Sequence, residues 1–144
     1  MNEVIRSASR IYLDSNALIY FVERSDALQK KVGAVIAWAI DAKAAIVVSE
    51  IGIAECLHGA YKLQNAALEE TYNEIFYTIA LFDIAPVDGA LVKAAAKIAA
   101  EKALKLVDAI HFLTAVETRC EVFLTTDRRF HSSHTVEVVQ IDEL

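Results

Sequence analysis

Apolar residues fall into two kinds of run along this chain. Short unbroken runs bounded by polar or cap-forming residues, "RIYLD", "AIVVS", "EVFLTT" and "VEVVQI", predict buried β-strands. A weaker run, "FDIAPV", predicts a further strand. Between them the apolar positions recur at helical spacing. Helices are expected over Ser15 to Glu23, over "SDALQKKVGAVIAWAIDAK" starting at Ser25 or Asp26, and over "EIGIAECLHGAYK". Others are expected over "NAALEETYNEIFYTIALF", over Asp88 to about Lys102, and over "LVDAIHFLTAVETR", with a turn or short helix at "DRRF". Strands separated by helices imply a mostly parallel sheet, because parallel neighbours need a crossover that a helix supplies. The expectation is a three-layer α/β fold, whose ligands bind beyond the carboxyl ends of the strands.

The 144 residues suit one domain, 1–144, with a core that needs no staples. The chain is 56% hydrophobic, yet a charged residue breaks every stretch short of the ~18 apolar residues of a membrane span. "MNEVIRSASR" is not followed by the apolar region of a signal peptide, so a cytoplasmic location and no membrane partner are expected. Cys56 and Cys120 have no CxxC partner and are expected as reduced core residues. A net charge of −6 argues against a broad basic surface for nucleic acid. No GxxxxGK[ST] or GxGxxG occurs to suggest nucleotide-dependent chemistry.

Four acids stand out by position. Asp14 ends the first predicted strand and Asp127 follows the strand "VFLTT"; each has an ordinary explanation as a helix N-cap. Glu55 shares its helix surface with Ile51, Gly52, Cys56 and Gly59, where a carboxylate loses hydration unless it reaches solvent or finds a partner. Asp108 is the only acid between Glu101 and Glu117, on a helix apolar on nearly every face, and the helix dipole would favour its charge near the N-terminus. In combination, two acids finish strands and two sit on helices that can flank them. Like charges about 4 Å apart cost on the order of 4 kcal/mol at an effective dielectric near 20, a penalty that a cation removes. Carboxylates without His or Cys at ligand spacing favour magnesium or manganese. Such ions serve phosphodiester hydrolysis. They would also supply the positive charge that this acidic chain lacks, with Arg128, Arg129, Lys102 and Lys105 as local helpers.

These segments resemble a PIN domain, and most of all the ribonuclease toxins of VapBC-type toxin–antitoxin pairs. "IYLDSNALIY" resembles the family's opening strand, "VVSEIGIAEC" its second motif, "LKLVDAIHFLTA" its third and "LTTDRRF" its fourth, in order across nearly the whole chain. The resemblance implies a three-layer α/β/α fold with a five-stranded sheet and a magnesium- or manganese-dependent endoribonuclease. It further implies an RNA substrate, a cognate antitoxin that places a basic residue against the acids, and a homodimer. Asp14, Glu55, Asp108 and Asp127 match the metal-binding catalytic acids, while Asn16 and Thr125 match supporting polar residues. Thr126 stands where the family often carries Asn.

Other features carry less. "HSSH" at His131 and His134 has no third ligand nearby and reads as a surface turn. His58 and His111 lie on predicted helices; both could line the cleft, but ordinary core or boundary histidines are commoner and neither is assigned a role. Trp38, Tyr61, Tyr72 and Phe76 suggest core or a dimer surface. A phosphoaspartate receiver would need a Lys ending a late strand, and neither "VFLTTD" nor "VEVVQID" supplies one. The remaining alternative is a catalytically silent PIN-like interaction module, which would bind manganese weakly.

Overall fold

The computed structural model describes residues 1–133 and 135–144. In chain order the elements are α1 (Glu3–Ser7), β1 (Arg10–Leu13), α2 (Ser15–Glu23), α3 (Ala27–Ala42), β2 (Ala45–Ser49), α4 (Glu50–Lys62) and α5 (Ala66–Asn73). A π-helical turn (Glu74–Thr78) leads to β3 (Asp83–Ala85), α6 (Gly89–Lys102), α7 (Leu106–Glu117), β4 (Val122–Thr125) and β5 (Glu137–Gln140), with a 3-10 turn at Ile141–Glu143.

The five strands form one sheet in the order β3-β2-β1-β4-β5, and every pairing is parallel. β1, β2 and β4 are buried along nearly their whole length, as unbroken apolar runs require when helices cover both faces. Successive side chains of β1 enter different layers. Ile11 and Leu13 join Ile46, Val48, Val122 and Leu124 in the larger core, together with Val32, Val35 and Ile36 of α3 and Ile53 and Cys56 of α4. Tyr12 points the other way, into Val47, Phe123, Ala115 and Phe130. Behind that face, Leu91 and Ala95 of α6 pack on Ala109, Ile110 and Leu113 of α7. The result is the α/β/α sandwich expected from the sequence.

Helix starts follow cap chemistry. Asp14, Asp26, Ser49, Asn65 and Asp88 each accept a backbone N–H of the helix that follows. Two features depart from expectation. Residues 3–7 form a short helix, capped by the Asn2 side chain, that the sequence pattern did not suggest. The helix expected over "NAALEETYNEIFYTIALF" ends early, because α5 widens into the π turn, closed by Ile79 N–H donating to the Glu74 carbonyl at 2.8 Å. That widening accompanies inward placement of both Tyr72 and Phe76, whose rings stack 5.9 Å apart. Of the other two aromatic residues singled out, Trp38 packs against the core and Tyr61 is exposed. Cys56 and Cys120 are buried free thiols, as expected.

Candidate active site

The strand order reverses at β1, whose neighbours are β2 on one side and β4 on the other. A crevice opens at such a reversal because the connections leave the carboxyl ends of adjacent strands in opposite directions. Register supplies the first two groups. Leu13 pairs with Leu124, so Asp14 and Thr125 follow side by side. The Thr125 hydroxyl donates to Asp14 Oδ2 at 2.5 Å and accepts the Asp127 N–H at 2.9 Å. Asp14 Oδ1 accepts the Ala17 N–H at 2.9 Å, so this residue is the N-cap of α2 as well as part of the crevice wall. It is only 3% exposed, and burial pushes its carboxyl pKa above the ordinary value despite the opposing bonds from Thr125 and Ala17.

The other acids arrive from helices and a turn. Glu55 lies on α4, which leaves β2 through the Ser49 cap. Its Oε1 is 2.6 Å from His111 Nε2. Burial would raise the Glu55 carboxyl, but the bond and electrostatic pull of His111 outweigh it and leave the pKa below its usual value. Asp108 lies in the first turn of α7, where the helix dipole favours a carboxylate. Asp127 follows β4, but no helix follows it: "DRRF" is a turn, and the cap explanation fails there. Instead Asp127 Oδ1 accepts the Arg129 N–H at 2.9 Å, and both carboxylate oxygens accept from the Arg129 guanidinium. That guanidinium, working against burial, holds the Asp127 pKa below the usual carboxylate range.

All four acids line one cavity of about 260 Å³, with Ser15, Asn16, Lys105 and Arg129. Arg129 Nη2 lies 2.5 Å from Asp127 Oδ2 and 3.2 Å from Asp108 Oδ2, so one nitrogen spans two of the carboxylates. The donors are chemically suited to a small hard cation, being carboxylate oxygens around a desolvated Asp14. Their present spacing is wider than ligation requires. Among the described residues, no three His, Cys, Asp or Glu side chains stand close enough to hold one ion.

A PIN domain family model matches residues 11–133. The chain belongs to the PIN-domain family. Solved structures with this fold include a toxin–antitoxin complex from Klebsiella pneumoniae, 23% identical, covering 88% of this chain and 94% of that one at a TM-score of 0.64. VapBC2 from Rickettsia felis, bound to a promoter DNA fragment, is 14% identical and covers 91% and 98% at 0.72. VapC20 from Mycobacterium tuberculosis, described as a Sarcin-Ricin loop cleaving toxin, is 14% identical and covers 78% and 86% at 0.63. No curated protein matches the chain significantly.

Two residues of this PIN domain do more than its sequence suggested. His111, read there as an ordinary core or boundary histidine, is 2% exposed and lines the cavity between Tyr12 and Glu55. The available signal was its place on α7, three residues after Asp108 and so on the same helix face. Arg129, expected as a free local cation, is engaged with two of the acids. Arg128 turns away to pair with Asp142 and Glu143, and of the two lysines only Lys105 reaches the cavity. His58 is exposed. The "HSSH" turn includes residue 134, outside the described residues, while His131 is exposed. Thr126, in place of the family's frequent Asn, has its hydroxyl 3.3 Å from the Tyr20 hydroxyl, at the back of the Asp127 turn.

Proposed function

We propose that this PIN domain is a metal-dependent endoribonuclease with a preference for single strands, and the toxin of a toxin–antitoxin pair. The observation that carries the reading is that Asp14, Glu55, Asp108 and Asp127, scattered across the sequence, face one cavity at the strand-order reversal. In this reading the four carboxylates are the catalytic residues and hold magnesium or manganese. Once bound, such an ion lowers the pKa of a water and neutralises phosphate oxygens. The protein's own part is positional. Thr125 and the Ala17 N–H fix both oxygens of Asp14, Thr125 sets the turn that carries Asp127, and Asn16 stands exposed at the cavity mouth. Lys105, and Arg129 once released from Asp108 and Asp127, are cavity cations that could meet an RNA phosphate.

The solved relatives described as toxin–antitoxin assemblies support a small antitoxin as partner, and a solvated acidic cleft is a natural receptor for its arginine-bearing segment. A homodimer working in the cytoplasm belongs to the same proposal. The test is cleavage of total RNA by the parent and by Asp14→Asn, each with magnesium, manganese or EDTA. Cleavage by the parent alone, abolished by EDTA, is expected; equal cleavage by the variant or resistance to EDTA would overturn the assignment.

One observation favours a second reading, the silent interaction module. Arg129 already neutralises Asp108 and Asp127, which is how an acid cluster without a metal would stay folded. Calorimetric titration with manganese separates the two, since the module predicts only weak binding.

A further inference from the structure

The third motif's histidine has two short bonds, one buried and one part-buried, that the proposed chemistry does not yet use. His111 Nδ1 lies 2.6 Å from the Tyr12 hydroxyl, and Nε2 lies 2.6 Å from Glu55 Oε1. Tyr12 is fully buried in β1, its ring stacked on Phe123 at 5.0 Å, and is therefore a fixed point. Glu55 is half-buried, on a long and flexible side chain, and its bond to His111 is its short contact to a buried group. We infer that His111 is a positioning residue: anchored through Nδ1 to Tyr12, it donates from Nε2 to Glu55 and aims that carboxylate into the cavity. The inference rests on the proposed role of Glu55.

Hydrogen-bond direction follows from the groups present. The Glu55 carboxylate can only accept, so the proton of that bond is carried on Nε2, while the Tyr12 hydroxyl completes the bond at Nδ1. The relay therefore delivers a fixed donor, in a fixed plane, to one oxygen of Glu55, a residue that lines the cavity. Gly52 lies directly against the ring: a Cβ there would stand 3.4 Å from His111 Cε1, at van der Waals contact. Outer partners that orient a metal-binding side chain commonly contribute 10–100-fold in metal affinity or activity.

The experiment compares the parent with His111→Phe, His111→Gln, Tyr12→Phe, Glu55→Gln and the His111→Phe/Glu55→Gln pair. Manganese affinity is read by calorimetry and RNA cleavage as separate kcat and KM. His111→Phe keeps ring volume and removes both bonds; about a 10–100-fold loss in affinity or kcat is expected. His111→Gln, which places an amide N–H near the position of Nε2, should recover part of it. Tyr12→Phe, which frees the tautomer but leaves the imidazole in place, should lose less than His111→Phe and covers the case in which the latter fails to fold. Adding His111→Phe to Glu55→Gln should cost nothing further, because the residue to be aimed is already disabled. Unchanged affinity and kcat in His111→Phe, or losses that multiply in the double variant, would overturn the positioning role while leaving Glu55 in the site. A Glu55→Gln protein equal to the parent would overturn both.

Discussion

Arg129 and Asp14 show how single side chains reconcile four acids in one cavity. The Arg129 guanidinium nitrogen sits 2.5 and 3.2 Å from its two carboxylate oxygens, whereas a magnesium ion requires about 2.0–2.1 Å to each ligand. If the proposed metal is held by Asp108 and Asp127, it must displace the arginine between them. Arg129→Gln should bind manganese several-fold more tightly than the parent by calorimetry, while Arg128→Gln, whose arginine pairs with Asp142 and Glu143 instead, should bind as the parent does. Equal affinity in both would show that the guanidinium does not compete. Asp14 presents the opposite problem, a carboxyl kept from water. Its folded pKa lies above the ordinary 3.8, so folding favours the protonated form. That contribution to stability is present below 3.8 and is lost as the pH rises through the folded value. Urea unfolding without metal should then show Asp14→Asn gaining stability relative to the parent from acid toward neutral pH. A constant difference across that range would refute the burial argument.

At the scale of elements, local chemistry sets most boundaries. Asp88 caps α6 by accepting the Leu91 N–H at 2.9 Å, and Asp88→Ala should cost about 1 kcal/mol in chemical denaturation, with a range of about 0.5–2. No change would mean the first turn of α6 finds other partners. The strands and most helices were legible in the sequence for the same reason: unbroken apolar runs, periodic faces and cap residues are properties of neighbours along the chain. The π turn was not, because Tyr72 and Phe76 keep the four-residue spacing of an ordinary helix face while the backbone between them widens. Nor was α1, whose five residues are too few to display a period.

Across the whole molecule, the crevice follows from topology, and its acids could be nominated because strand ends in a parallel sheet are a known location. What those acids touch could not be read. His111 meets partners 99 and 56 residues away; its spacing from Asp108 could place it on the cavity face of α7 but could not name Tyr12 or Glu55. The placement of β1 between β2 and β4 also has a bearing on synthesis. Asp14 emerges from the ribosome early, but the strand that brings its hydroxyl partner, Thr125, and the turn bearing Asp127 come more than a hundred residues later. A nascent chain that carries the first three motifs still lacks one wall of the crevice. If the finished protein cuts RNA, the unfinished one is unarmed, and the transcript being translated is spared by the order in which the strands are made.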